Sequence, residues 1–262
     1  MTKIDLAPLT IADTNLSHAW GRILLHMFDS RVTEIKPLMI SLTGFNRHGK
    51  IEECPYIRNY LDKILTEEPN SVETPISAFT IFPESYWQIS DNDREKFYEI
   101  CRDALPRIKA KRKSINRHGL YFERMMFYGR GNCNGNQLEW IIQNHRRGMR
   151  NTMYQASIFD PERDHVPNPR LVFPCLQHVS FVKTDDGLVL NAFYATQLLV
   201  HRAYGNLLGL NHLGAFMADQ LGMRFAQLNM MVGQEKLGGR SKKGLQGLKD
   251  VVSASLSPAV KI

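Results

Sequence analysis

Between Asn15 and Asp29 apolar residues recur every three to four positions, with Trp20, Ile23, Leu24, Met27 and Phe28 on one stripe. That period predicts an opening helix over 15–29, capped by Asn15 or Ser17. Residues 36–45 (KPLMISLTGF) form a continuous apolar run that predicts a buried strand, and 75–83 (PISAFTIFP) is a second β-prone run bounded by prolines. Between them, Ile57, Tyr60, Leu61 and Ile64 predict a short helix over 55–65. Phe97, Ile100, Cys101 and Leu105 predict another over 91–105, with Pro106 just past its end.

The second half is more regular. A helix is expected over 138–144 and a strand over 152–159. A long strand over 171–183 turns at Asp185-Asp186-Gly187 into a further strand from Leu188, the pattern of a hairpin. Leu207, Leu210, Leu213, Phe216, Met217 and Leu221 mark the core face of a helix around 199–221, closed by Gly222. A Met-rich strand over 223–232 follows, its Met230 and Met231 read as core filler. The expectation is an α/β (α+β) chain forming one domain over residues 1–262, with no linker and no repeat.

Composition adds limits. The chain has 262 residues, 43% hydrophobic and 23% charged, which excludes a disordered, collagen-like or coiled-coil protein. No apolar run approaches the roughly 20 residues that span a bilayer, and the start, MTKIDLAPLT, lacks an apolar signal core. A cytoplasmic protein with no membrane partner is expected. The four cysteines, 54, 101, 133 and 175, show no paired spacing and read as free thiols. Lys and Arg total 33 against 26 Asp and Glu, a net +7 that favours an anionic partner. Much of the excess lies in 102–124 (including Arg112 and Arg117) and in a tail carrying Arg240, Lys242, Lys243, Lys249 and Lys261. These read as a solvated helix face and a mobile tail. No recognition motif accompanies them, so nucleic acid is not an expected partner.

For chemistry, Cys175 sits in Phe173-Pro174-Cys175-Leu176-Gln177-His178, where proline marks a strand edge or bulge that can aim a side chain at a pocket. A thiolate there can attack an electrophilic carbon, although a small buried hydrophobe explains the same residue. His178, three positions on, falls on the opposite strand face, which disfavours a Cys–His dyad. Cys133 lies in a Gly/Asn loop that lacks the Lys-Ser/Thr of a phosphate loop. No histidine pattern suggests a metal, and none is expected. Arg146-Arg147-Gly148-Met149-Arg150 suits an anion as well as it suits a solvated turn.

From Tyr128 onward the order of these motifs resembles thymidylate synthase. Pro174-Cys175 resembles the family's nucleophile strand, Tyr194 its following strand end, and Tyr204-Gly205-Asn206 its Pro-Phe-Asn. Met217-Ala218 matches a helical Met-Ala, Gly233-Gln234-Glu235-Lys236 its Gly-Asp-x-His, Tyr128-Gly129 its Tyr-Gly, and Arg150-Asn151 its paired arginines. Residues 257–262 (SPAVKI) resemble its apolar closing tail. The resemblance implies a thymidylate-synthase-like mixed sheet with flanking helices, packed back to back in a homodimer. It further implies transfer of a one-carbon unit from a reduced folate, methylenetetrahydrofolate, to carbon 5 of a uracil-type pyrimidine nucleotide. Cys175 would be the nucleophile, Tyr128 would position the substrate, Asn206 would read the ring, and Arg150 would contact phosphate from the opposite subunit; the family's proton-managing glutamate lies in the half that does not align, where Glu53, just before the helix at 55, is the candidate. The chain departs from the pattern in several places. The family's Arg-Ser-x-Asp falls within 195–199 (ATQLL), its sugar-binding His and Tyr fall on Lys236 and Gly238, and the second paired arginine is Asn151. Ordinary dUMP is then expected to bind weakly unless Lys236, Arg202 or another cation substitutes. The alternative is a non-catalytic pyrimidine-nucleotide-binding protein on the same fold.

Overall fold

A computed structural model describes residues 7–69, 71–111, 113–116, 118–167 and 173–257. Along the chain run β1 (Leu9–Asp13), α1 (Leu16–Asp29), β2 (Glu34–Ile35), β3 (Leu38–Leu42), α2 (Pro55–Glu67), α3 (Thr74–Phe79), α4 (Glu84–Ile89) and α5 (Arg94–Lys111). Next come α6 (Lys113–Asn116), α7 (Tyr121–Met126), α8 (Gln137–Asn144), β4 (Gln155–Ser157), α9 (Pro161–Asp164), β5 (Leu176–Thr184) and β6 (Gly187–Tyr194). The chain closes with β7 (Gln197–Leu198), α10 (Tyr204–Gln220), β8 (Phe225–Val232), β9 (Glu235–Lys236) and α11 (Gln246–Leu256).

Six strands form one mixed sheet in the order β1-β3-β8-β6-β5-β4, and β2-β9-β7 form a small second sheet. β1 with β3 and β6 with β8 are parallel; the other pairs of the large sheet are antiparallel. Helices cover one face. α10 packs on β6 and β8, and α1 on β1 and β3. At the centre Trp20 is fully buried, donates its indole N–H to the Leu199 carbonyl at 3.0 Å, and meets the Tyr204 ring edge to face. No helix of the described residues is long and apolar enough to cross a membrane.

Among the described residues, the stretch of the other face formed by β3, β8 and β6 is left partly exposed. Met39, Met231 and Phe193 lie side by side across β3, β8 and β6, and each is more than a third exposed. Beside them runs an amide row. Gln227 Nε2 donates to Ser41 Oγ at 2.8 Å, Asn229 Nδ2 to Asn191 Oδ1 at 2.9 Å, and Asn191 Nδ2 to Ser180 Oγ at 3.5 Å. Met230 is core as expected, whereas Met231 belongs to this outer face.

The expected elements at 15–29, 36–45, 55–65, 138–144, 199–221 and 223–232 are present within a few residues. Asn15 is the α1 cap, its side chain accepting from the His18 N–H. Thr184 and Gly187 pair across the Asp-Asp-Gly turn, where Gly187 has φ of 128°.

Four readings are corrected. The run at 75–83 is not a strand: Pro75 enters the first turn of α3, and the helix presses its backbone onto Gly205 and Gly209 of α10. Tertiary packing overrides β propensity there. Pro106 does not end a helix but lies inside α5, on an exposed turn where water can meet the carbonyl left without an N–H. The strand expected from 171 begins only at Leu176, after Pro174, which has no N–H for a ladder; residues 171 and 172 lie outside the described residues. The basic tail is not mobile over 240–256. Arg240 pairs with Glu68, Lys242 and Lys249 cover the Phe28 ring, and α11 packs on α1 and α2. Arg112, Arg117, Lys261 and the closing residues 258–262 lie outside the described residues.

Candidate active site

Cys175 stands at the entry to β5, half-buried, its carbonyl accepting from the Ala195 N–H at 3.0 Å. Burial pushes its thiol pKa up. Two neighbours work against that: the Arg202 guanidinium, and a hydrogen bond from Tyr121. The Tyr121 oxygen is held by the backbone N–H groups of Leu176 and Cys175, which leaves its single proton for the sulfur. Its ring is stacked on Phe173 at 5.4 Å and meets Tyr194 edge to face at 6.5 Å. Burial raises the Tyr121 pKa, so this hydroxyl stays a donor at neutral pH.

Phe173 is held from its other side by a buried ion pair. Arg124 lies over the ring at 5.2 Å, and its Nη2 reaches Asp164 Oδ1 at 2.8 Å and the His118 carbonyl at 3.1 Å. Arg124 and Asp164 are nearly inaccessible, 5% and 8% exposed, so the pair is a rigid brace rather than a surface contact.

Arg202 comes from a π turn, Leu199–Ala203, that feeds directly into α10. One hydrogen bond ties its Nη1 to Ser77 Oγ of α3 at 3.4 Å. Asn206 follows four residues later, nearly buried in the first turn of α10, on the face that Arg202 shares. A Cβ at Gly205 would sit 2.5 Å from Ser77 Cβ and 2.8 Å from the Thr74 carbonyl oxygen. A side chain at this position would push α3 off the site. The thiol therefore has a phenol hydrogen-bonded to it and a cation within electrostatic reach.

The contacts of the other expected site residues are with other partners. Tyr128 lies beyond α7, where its carbonyl accepts from Arg163 Nη2 at 2.7 Å and Arg163 covers its ring at 5.3 Å. Burial, then the Asp160 charge, raise its pKa. The tyrosine on Cys175 is Tyr121, seven residues earlier. Glu53 accepts from Arg58 Nη1 at 2.6 Å and from the Tyr204 hydroxyl at 2.7 Å, which also meets Ser17 Oγ at 2.6 Å. It lines a cavity of about 400 Å³ with Lys50, Arg58, Phe79, Phe82, Leu208 and His212. Pro75, Ala78 and Phe79 of α3 face this cavity, while Ser77 turns the other way toward Arg202. Arg150 is exposed ahead of the turn Asn151–Met153 that leads into β4. Lys236 sits opposite Glu34 across the β2–β9 pair, and its charge acts on Glu34. Among the described residues no cluster of three His, Cys, Asp or Glu side chains could hold a metal.

No family model and no curated protein sequence matches the chain. Its fold is thymidylate-synthase-like. Thermostable thymidylate synthase A from Bacillus subtilis superposes with a TM-score of 0.54, covering 92% of this chain and 84% of that one, at 11% identity. At that identity the likeness speaks for the architecture, and the chemistry has to be argued from this chain's own side chains.

Proposed function

We propose that the chain transfers a one-carbon unit from a reduced folate to carbon 5 of a uracil-type nucleotide, through a covalent adduct on Cys175. The observation that carries this reading is the hydrogen bond from the Tyr121 hydroxyl to the Cys175 sulfur, with the Arg202 charge acting on the same thiol. Cys175 adds to carbon 6 of the ring as a thiolate, and the addition makes carbon 5 nucleophilic toward the one-carbon donor. Arg202 and Tyr121 stabilise the thiolate before attack and as it leaves. Asn206 pairs with the carbonyl and ring N–H, stabilising the enolate. The strand arginine that the family's pattern would supply is absent, and Arg202 is the cation best placed to meet an anionic substrate group.

The donor is a second substrate. The cavity beside Glu53 is lined by Phe79, Phe82 and Leu208 and by Lys50 and Arg58, which pair with Glu84 and with Glu53 and Asp62. Cys175 does not line it, so no residue is assigned to the donor. The partly exposed sheet face, with its row of Met39, Met231 and Phe193, supports a back-to-back homodimer, in which Arg150 would reach the partner's substrate phosphate.

Intact-mass spectrometry tests the reading. Wild type and Cys175→Ala are incubated with 5-fluoro-dUMP and 5-fluoro-UMP, with and without methylenetetrahydrofolate. An adduct that requires Cys175 and gains the folate mass is expected. Folded protein that forms no adduct with either nucleotide overturns it. A second reading, simple nucleotide binding without turnover, draws on one observation: burial leaves the Cys175 pKa raised despite Arg202 and Tyr121. Nucleotide binding that survives Cys175→Ala without any adduct in wild type would favour it.

A further inference from the structure

A second cavity, of about 230 Å³, opens beside the C-terminal half of α10, where His212, Ala215 and Phe216 line it. Cys175, Arg202 and Asn206 take no part in its walls. A water needs roughly 10–15 Å³, so the space can take a whole ring system. The floor is aromatic. Phe82, Phe216 and Phe225 are buried beneath it and Trp87 is half-buried at its side. Trp87 meets Phe216 edge to face at 5.0 Å, Phe82 lies 4.9 Å from Phe216, and Phe45 backs Phe225 at 4.2 Å. A further flat ring extends this cluster and asks for no polar partner from it.

The rim carries charge on two fixed supports. Arg47 and His48 come from the loop between β3 and α2, which closes on itself: Asn46 Oδ1 accepts from the His48 N–H at 2.9 Å and the Lys50 N–H at 3.0 Å. Gly49 seats that loop on α10, since a Cβ there would lie 2.6 Å from Ala215 Cβ. Arg224 stands just ahead of β8. Its Nε donates to the Asp186 carbonyl, and its stem passes over Gly187, where a Cβ would lie 2.7 Å from Arg224 Cγ. Arg47 Nε donates to His48 Nε2 at 3.0 Å. Among the described residues neither guanidinium has a carboxylate partner.

That separates this cavity from the one beside Glu53, whose Lys50 and Arg58 are both paired with acids. Two carboxylates line the second cavity. Glu84 is held by His212 at 3.1 Å and Lys50 at 3.7 Å, and Asp219 accepts from Gln220 Nε2 at 2.9 Å. Two arginines without an acid partner against one carboxylate without a cation leave the rim positive. We propose that this cavity binds a small planar aromatic anion, a ring carrying a carboxylate or a phosphate, with the ring on Trp87 and Phe216 and the acid group on Arg47 and Arg224. Guanidinium forks match the oxygens of either acid. The site is separate from Cys175 and does not depend on the reaction proposed there.

Calorimetric titration of the full chain with 1-naphthoate and with 1-naphthyl phosphate tests this. 1-Naphthamide is the uncharged ring and inorganic phosphate the ringless anion. Saturable binding is expected for at least one of the two aromatic acids and for neither control; binding of one acid alone identifies the acid group. Arg47→Gln and Arg224→Gln should each weaken it about tenfold, the lower end for a charge-assisted contact at an exposed site. Both side chains are exposed, so melting curves of the variants should match wild type. Cys175→Ala should bind as wild type does. The proposal is overturned by no saturable binding of either acid, by equal binding of the amide or of inorganic phosphate, by unchanged affinity in both arginine variants, or by loss of binding in Cys175→Ala. None of these outcomes depends on whether the fluoronucleotide adduct forms.

Discussion

Replacing Arg202 by methionine keeps the stem that packs at the α10 entry and removes the charge beside Cys175. In the folded protein that charge lowers a thiol pKa which burial raises. Arg202 acts on the thiol through space, and both groups are half-exposed and screened by water, so its charge contributes on the order of 1 kcal/mol. About 1.4 kcal/mol corresponds to one pKa unit. The alkylation midpoint of Cys175 should therefore rise by about one unit in Arg202→Met. At neutral pH the thiolate fraction falls about tenfold, but a more basic thiolate is more nucleophilic, with a slope of about 0.4–0.5. The net rate at neutral pH should drop about threefold. Alkylation with iodoacetamide across a pH series, quantified on the Cys175 peptide, reads both quantities, and a melting curve confirms the fold. An unchanged or lowered midpoint in folded protein would refute the electrostatic role of Arg202.

Other parts of the site make independent predictions. Asp164→Asn leaves Arg124 charged and buried without its partner, and should cost about 3–5 kcal/mol in a denaturant titration. A Cβ at Gly209 would lie 2.7 Å from the Ala78 carbonyl oxygen and 3.0 Å from its Cα, backbone that has no free end to swing aside. Gly209→Ala gains about 1 kcal/mol of helix propensity but meets about 1–3 kcal/mol of overpacking, so a loss near 1 kcal/mol is expected by the same titration, with slower Cys175 alkylation as α3 shifts. Burial disfavours the Glu68 carboxylate, yet hydrogen bonds from Arg240 and His201 outweigh it and depress the pKa. The depressed value means a stabilisation that is present above the unfolded pKa of about 4.3 and is lost as pH falls through the folded one. Glu68→Gln should flatten that acid limb of a melting temperature series, and an identical limb in both proteins would contradict the assignment.

Much of the architecture was legible because its elements are periodic. Trp20, Ile23, Leu24 and Met27 marked α1, since burial on one face imposes helical spacing, whereas α10, with leucines from 207 to 221, is buried almost all round and showed itself by its length and apolar content. What escaped were elements stabilised by distant partners. β2, β7 and β9 are two residues long and exist through mutual pairing, and α3 forms because Gly205 and Gly209 let its backbone approach. The site divided in the same way. Cys175 and Asn206 stood in an ordered series of motifs, but Tyr121 lacks the glycine that made Tyr128-Gly129 look like the family's pair. In the sequence Arg202 stands out only as one cation that could replace the lost strand arginine, with no motif that ties it to Cys175. Its nearness to Cys175 depends on how the chain passes from β6 through β7 into α10, which no window of sequence displays.

That passage brings Arg202, from the helix entry and not from a strand, within electrostatic reach of Cys175. Residues 195–199, where the family's Arg-Ser-x-Asp would fall, have become β7 and the start of a π turn. Gln197 is turned inward there, beside Glu235. The π turn adds residues before α10 begins, so the cation is supplied from the helix entry instead of from the strand. Arg202 and Asn206 then belong to one rigid element, and their separation is fixed by helix geometry. The thiol belongs to another element, the start of β5, braced through Phe173 by Tyr121 and by the Arg124–Asp164 pair. How well cation and sulfur align therefore depends on the seating of α10 against α3. Ser77 is the link, because it touches Gly205 with its Cβ and the Arg202 guanidinium with its hydroxyl. Helix packing, and not a flexible loop, sets the electrostatics around the Cys175 thiol.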